Sequence, residues 1–336
     1  MKKKNTTKIA VIGATGNVGR VMLQILEEHG FPKENITALA SQRSTGREIS
    51  YGEKGTLKVF PLETFDFSKA DYALSSAGSK IAKEFSHKIT QAGCTIIDNS
   101  SAFRMDKNIP LVIPEVNPED LALGQKSKII ANPNCSMIQL AVALKPLDNL
   151  RKIKRVVVST YQSVSGAGKA GMDELYAQAR GTFMNALVPA QHFTKPIAFN
   201  LIPQIDIFDH DGNTGEETKV MNEFQKVMHR AIPITATCVR VPVFIGHSMS
   251  VNIEFEEAFS ISDAKNALKT AKGVSLIPDS ENYMTPIEIA GEDAVYVSRI
   301  RKDPSIPHGL NMWIVADNLR KGAALNAVQI LEALID

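Results

Sequence analysis

The sequence predicts an α/β protein: a doubly wound parallel sheet, followed by an α+β domain. Three observations carry this. A buried-looking strand at the N-terminus runs into a glycine-rich turn and then an amphipathic helix. Strand and helix patterns alternate from there to about residue 134. Beyond about Lys145 the rhythm stops, and longer runs alternate apolar with polar residues, as antiparallel strands with one buried face do. At 336 residues the chain is long enough for two domains.

The first strand, residues 8–12, leads into Gly13-Ala14-Thr15-Gly16-Asn17-Val18-Gly19. The helix after it presents Val18, Val21, Met22, Ile25 and Leu26 on one face and ends at His29-Gly30. Strand, glycine turn, helix is the context in which backbone N–H groups approach a pyrophosphate, and it marks a Rossmann-like, nucleotide-binding half. The spacing is G-x-x-G-x-x-G, because Ala14 holds the place of a second glycine. A second strand, 36–40, ends in Ser41-Gln42-Arg43-Ser44. Folds that prefer NAD place an acid near this point for the ribose 2′-hydroxyl. Arg43 and Ser44 suit a 2′-phosphate instead, which points to NADP; a solvated loop arginine is the alternative. A strand at 72–75, a helix over 80–92 and a strand at 95–98 continue the alternation.

The segment KIIANPNCSMIQLAVAL, 128–144, reads as a short strand, an Asn-Pro-Asn turn and a cysteine at the mouth of a helix. Met137, Leu140, Ala141 and Leu144 recur at helical spacing. Cys135 therefore falls where unpaired backbone N–H groups and the positive end of the helix dipole favour a thiolate, the nucleophilic form. A buried small hydrophobe is the bland alternative. As the residue after a strand of the parallel sheet, Cys135 is expected at the sheet's carboxyl edge, near the cofactor.

In the second domain the runs 155–162, 239–245 and 247–255 read as antiparallel strands. A thiolate beside NADP suggests aldehyde oxidation through a thioester, which needs an acid or base and oxyanion donors. His247, after Gly246 inside a strand-like run, is the candidate among seven histidines. Arg240, in apolar surroundings, needs an anionic partner, either a substrate carboxylate or a structural one. Regular strand geometry puts residues seven apart on opposite faces, so the two share a site only if the strand breaks at Pro242 or Gly246. Thr214 with Glu217 forms a capping box opening a helix to about His229, which gives Glu217 a structural role. Glu216 and Lys219 share a face and suit an amine and a phosphate, or a surface ion pair.

Composition removes other classes. Net charge is +2, with Lys and Arg spread along the chain, so no nucleic-acid footprint stands out. The three cysteines, Cys94, Cys135 and Cys238, are odd in number and lack metal-ligand spacing, so the expectation is a reduced, cytoplasmic protein without a disulfide framework or metal. The apolar run after the basic N-terminus is too short for a signal-peptide core, and no run has the roughly 20 apolar residues that span a membrane.

The motifs GATGNVG, SQRSTG, SSAFRMD, ANPNCS, YQSVSGAGKAGMDEL, AFNLIPQID, GEETK, RVPVFIGHS and ADNLRKGAALNAVQI follow one another from Gly13 to near the C-terminus. Together they resemble the bacterial aspartate-semialdehyde dehydrogenases. ANPNCS and ADNLRKGAALNAVQI are specific to that family, whereas GATGNVG is shared with related acyl-phosphate reductases. The resemblance implies NADP-dependent interconversion of L-aspartyl 4-phosphate and L-aspartate 4-semialdehyde, a step toward lysine, threonine, methionine and diaminopimelate. It implies Cys135 as nucleophile, flanked by Asn134, with His247 as acid/base and Gln162 orienting the substrate. Arg240 would bind the substrate carboxylate and Glu216 its amino group, while Arg104 and Lys219 would hold phosphate. Gly13, Thr15, Gly16, Asn17, Val18, Arg43, Ser44, Ser165, Gly166 and Asn318 would line the NADP site. It also implies a C-terminal helix, about 319–334, returning to the nucleotide domain. The expected domains are thus 1–134 completed by 319–336, and a catalytic and dimerisation domain over 135–318. The expected assembly is a homodimer or dimer of dimers. An N-acetyl-γ-glutamyl-phosphate reductase and a non-catalytic NADP-binding paralogue are the alternatives.

Overall fold

The computed structural model describes residues 3–53, 55–279 and 281–335; the ends of the expected domains, residues 1, 2 and 336, lie outside them. Contacts divide the chain into two units, Met1–Asn134 with Ala323–Asp336, and Cys135–Gly322.

The strands of the first unit are β1 (Ile9–Ile12), β2 (Ile36–Ala40), β3 (Glu48–Ser50), β4 (Thr56–Pro61), β5 (Tyr72–Ser75), β6 (Thr95–Asp98) and β7 (Ile129–Ala131). Its helices are α1 (Asn17–Glu28), α2 (Ser79–Gln91) and α3 (Leu121–Ser127). Among the described residues they form a seven-stranded sheet in the order β3-β4-β2-β1-β5-β6-β7, parallel except for the edge strand β3. The expected doubly wound sheet is present. All four residues of β1 are buried, as a strand covered on both faces requires. Ile9 and Val11 join one core with Met22, Leu26, Val328 and Leu331, while Ala10 and Ile12 join another with Phe67, Phe85 and Ile89. The chain goes from β1 to β2 on one side and later to β5 on the other, so a crevice opens beyond the carboxyl ends of β1 and β5.

The C-terminal segment departs from the expected single helix. A π-helical turn, Arg320–Ala324, precedes the α-helix Leu325–Ile335. The cause is local. Asp317 Oδ1 accepts the N–H groups of Leu319 and Arg320, and the Gly322 N–H reaches the Asp317 carbonyl at 3.1 Å, a five-residue step. Further on, Asn326 Nδ2 donates to Asn132 Oδ1 (2.7 Å), and Asn132 Nδ2 to Asn99 Oδ1 (2.6 Å). These buried amides tie the two family-specific motifs together within the first unit.

The second unit contains α4 (Cys135–Leu150), β8 (Ile153–Gln162), α5 (Gly168–Phe183), α6 (Gly215–Met228), β9 (Ile234–Arg240), β10 (His247–Phe255), α7 (Ile261–Lys269), β11 (Val274–Leu276), α8 (Pro286–Ile289), β12 (Val295–Asp303) and β13 (Gly309–Ala316). Its six described strands are ordered β11-β12-β13-β10-β8-β9. The sheet is mixed rather than wholly antiparallel, because β9 runs parallel to β8 and β11 parallel to β12. A helical crossover through α6 permits the direction of β9. The expected strand over 239–245 is also corrected. It ends at Arg240, since Pro242 has no N–H to give and a tight turn forms from the Val243 N–H to the Val241 carbonyl at 2.8 Å. Gly246, at φ +97°, turns the chain into β10, and a Cβ there would lie 2.9 Å from Ile289.

Helix α6 opens on the expected capping box. Thr214 Oγ1 accepts the Glu217 N–H and Glu217 Oε2 accepts the Thr214 N–H. Glu217 Oε1 also takes the N–H of Cys238 on β9 at 2.9 Å. Glu217→Ala therefore removes the reciprocal half of the capping box and strands two buried donors, and stability should fall by about 2–4 kcal/mol. Urea denaturation measures it, and a change below about 0.5 kcal/mol would show the carboxylate to be dispensable to the fold.

Candidate active site

In the first unit the glycine turn is built for a close approach. Gly13 has φ +80°, and a Cβ on it would lie 3.0 Å from Ser76. Gly16 is the N-cap of α1 and brings no side-chain cap, so the helix N-terminus keeps backbone donors for an anion. A cleft of about 310 Å³ lies here, lined among others by Gly13, Thr15, Gly16, Ser41, Ser76 and Ala77. Asn17 and Val18 begin α1 beside it, and Arg43 and Ser44 lie on the 3-10 turn Gln42–Ser44 directly after β2, Arg43 exposed. The residues present fit a nucleotide. Glu63 also lines the cleft, and the sequence reading missed it because it follows β4 rather than β2. Arg104 is buried at the carboxyl edge of the sheet, its Nε donating to the Asn132 carbonyl and its Nη2 to the Asn99 carbonyl, each at 2.9 Å. Asn134, also buried, closes the first unit.

The second unit gathers the chemistry. Cys135 is the first residue of α4 and is half-buried. One helical turn on, Gln139 Nε2 donates to the His247 carbonyl at 3.1 Å, so the helix that carries the thiol also holds the start of β10. Gly322 packs on Cys135, since a Cβ there would come within 3.1 Å of Cys135 Cβ. The break over 241–246 settles the facing problem. Arg240 Nη1 and His247 Nε2 converge beside Gly166, where a Cβ would be 3.1 Å from the first and 3.3 Å from the second. Gln162, the last residue of β8, donates to Glu216 Oε1 at 3.0 Å and accepts from Thr160. Glu216 thus faces the cluster while Glu217 is consumed by the fold.

Charges in the cluster are coupled. Arg240 is buried, and desolvation lowers its pKa from the ordinary arginine value. The charges of Glu216 and then Cys135 oppose that fall. Its Nη1 donates to the Ser163 carbonyl at 2.7 Å. His247 is fully buried, and its pKa is pushed down to about 3, first by desolvation, then by the Arg240 charge, with the Gly246 backbone acting the other way. Its Nδ1 lies 3.1 Å from both the N–H and the Oγ of Ser163. Ser165 and Asn318 are buried alongside, and Asn318 Oδ1 accepts from Gly246 N–H and from Ser163 Oγ. Lys219 is partly exposed, with Nζ 2.7 Å from Asp206 Oδ2 and 3.7 Å from Glu216 Oε2. That hydrogen bond holds the Asp206 carboxyl below the usual range. Any phosphate at Lys219 competes with Asp206. Burial pushes the thiols of Cys94 and Cys238 up to about 12.

Sequence reasoning missed Ser163, Gln139, Asp206 and Gly322. Ser163 acts through its backbone and the others through tertiary contacts, so no spacing signals them.

Residues 8–123 match the family model described as semialdehyde dehydrogenase, NAD binding domain, and 144–321 match semialdehyde dehydrogenase, dimerisation domain. The chain is 52% identical to an aspartate-semialdehyde dehydrogenase of Rickettsia conorii, over 98% of this chain and 97% of the relative. It is 49% identical to that of Aquifex aeolicus, over 98% of both chains. The crystal structure of aspartate semialdehyde dehydrogenase II complexed with ASA from Vibrio cholerae superposes with a TM-score of 0.95 at 44% identity, covering 98% of each chain.

Proposed function

The chain belongs to the aspartate-semialdehyde dehydrogenases, and from that premise we propose that it interconverts L-aspartyl 4-phosphate and L-aspartate 4-semialdehyde with NADP through a Cys135 thioester, as a cytoplasmic homodimer or dimer of dimers. The observation that carries this is the buried convergence of Arg240, Glu216, Gln162 and His247 in the unit that Cys135 opens. In this reading Arg240 holds the substrate carboxylate with its free donors and Glu216 meets the amino group. A free amine favours aspartyl phosphate over an N-acylated glutamyl phosphate, whose nitrogen has no charge to offer Glu216. The ASA complex named for the Vibrio cholerae structure supports the same choice. Phosphate is held by Arg104 and Lys219, with Asn134 beside the nucleophile.

The bound nucleotide supplies or accepts hydride. Gly13, Thr15, Gly16, Asn17 and Val18 would seat its pyrophosphate, Arg43 and Ser44 its 2′-phosphate, and Ser165, Gly166 and Asn318 its nicotinamide end. Association rests on the family domain and on exposed apolar side chains of the second unit, among them Phe183, Leu187 and Ile207. The cytoplasmic setting rests on three cysteines outside any disulfide. Among the described residues no helix is long and apolar enough to cross a membrane.

Absorbance of reduced nucleotide on mixing the protein with aspartate semialdehyde tests the reading. Signal should require inorganic phosphate and be at least tenfold faster with NADP than with NAD. Signal without phosphate would mean that water accepts the thioester, and equal rates with NAD would give the ribose to Glu63.

A further inference from the structure

Two neighbouring strands of the first unit end together, and the residue after each is an asparagine. Asp98 of β6 pairs with Ala131 of β7, so Asn99 and Asn132 stand side by side just past the carboxyl edge. Pro133 has no N–H to prolong the ladder. The two peptide carbonyls accept instead from one guanidinium: Arg104 Nε donates to the Asn132 carbonyl and Nη2 to the Asn99 carbonyl, each at 2.9 Å. The asparagine side chains hold the pair together. Asn132 Nδ2 donates to Asn99 Oδ1 at 2.6 Å and to the Ala323 carbonyl at 3.2 Å, and Asn132 Oδ1 accepts from Asn326 Nδ2 at 2.7 Å. Asn326 Nδ2 also donates to the Val112 carbonyl at 3.0 Å. A backbone carbonyl only accepts, so Val112 fixes the orientation of the Asn326 amide. Asn326 and Ala323 fix that of Asn132, and Asn132 fixes that of Asn99. Asn132 and Asn326 are fully buried, so water does not replace a lost partner. The whole chain of bonds lies within the first unit, and it runs from the C-terminal helix to Arg104.

We propose that Asn326, acting through Asn132 and Asn99, is a positioning residue for Arg104, so that the C-terminal helix sets the affinity of the site for phosphate. This rests on the phosphate role given to Arg104 above. A guanidinium recognises phosphate through the direction of its planar fork as well as its charge, and two carbonyls on Nε and Nη2 hold that plane. Loss of the Asn326 donor strands Asn132 Oδ1 and the Val112 carbonyl and frees the Asn132 amide to rotate. The two carbonyls shift with it. Arg104 then keeps its charge and loses its aim. The semialdehyde's carboxylate and amine are met by Arg240 and Glu216 in that reading, and the nucleotide by the glycine turn, so neither depends on this chain of amides.

Steady-state kinetics with aspartate semialdehyde, NADP and inorganic phosphate test this. Asn326→Ala should raise the KM for phosphate about five- to thirtyfold and leave the KM for semialdehyde and for NADP within about twofold of the parent. In protein that already carries Arg104→Ala, the same substitution should have no further effect on the KM for phosphate, because no guanidinium is left to aim. A merely structural asparagine would lower the urea midpoint and the active fraction and move no KM, and that result overturns the proposal. A rise in all three KM values overturns it too, as does a rise that persists beside Arg104→Ala. Asn99→Ala decides the matter where Asn326→Ala does not fold. Asn99 is half-buried and alanine keeps its carbonyl, so the fold is expected to survive and the KM for phosphate alone to rise. An unchanged value there overturns the proposal. The premise fails in a different way: an Arg104→Ala variant with the parent's KM for phosphate would take phosphate away from Arg104, and turnover without phosphate in the parent would sink the acyl-phosphate reading, and either result removes the proposal with it.

Discussion

Replacing Cys135 with alanine should lower phosphate-dependent turnover by at least about ten-thousandfold. The substitution is clean for a structural reason. Gly322 packs against the Cβ of Cys135, and alanine keeps that atom. The backbone of α4 and the Gln139 link to the His247 carbonyl are unaffected, so the donors around the reacting carbon stay in place. Only the sulfur goes, and with it the covalent intermediate. A tightly held semialdehyde, an intact urea midpoint and no turnover are the expected combination. A rate above about one ten-thousandth of the parent's would mean that hydride transfer proceeds without an acyl-enzyme, and Cys135 would lose its role.

Arg240→Lys should raise the KM for aspartate semialdehyde about a hundredfold while kcat falls less than tenfold. One guanidinium donor is already spent on the Ser163 carbonyl, and the rest of the fork is what a carboxylate would grip in two places. A lysine ammonium keeps the charge that Glu216 faces, so the buried acid is not stranded. It cannot hold Ser163 and a bidentate ligand together in that geometry. Steady-state kinetics at saturating phosphate and NADP separate the two parameters. An unchanged KM would make Arg240 a partner of Glu216 and Ser163 alone and remove it from the substrate.

What the sequence disclosed, and what it hid, follows the range of the interactions. Strands β1, β2, β5, β6 and β7 are short apolar runs between glycines, prolines and helices, so each is legible from its own residues. Strands β3 and β4 escaped notice because β3 is the edge strand and β4 lies next to it, and Glu48, Ser50, Thr56 and Lys58 face water there and dilute the pattern. The run after β9 was misjudged because Pro242 ends a strand as readily as it bends one. The parallel pairing of β8 with β9 joins Val156 to Ile234, a separation no local pattern spans. In the site, Cys135 announced itself by its turn and helix, and the capping arithmetic of Thr214 separated Glu217 from Glu216. Ser163 gave no sign, because a peptide group that donates on one side and accepts on the other looks the same at every position. Asp206 gave none either, since its partner Lys219 comes from another element.

The two cysteines away from the site have a practical bearing. Cys94 and Cys238 are fully buried, and at about 12 their thiols stay protonated at any pH at which the fold is handled. Of its three thiols the folded chain therefore offers a water-borne electrophile one, that of Cys135, which is half-buried. Label bound per chain then counts competent enzyme molecules directly, without reference to rate, and a preparation can be standardised by its thiol.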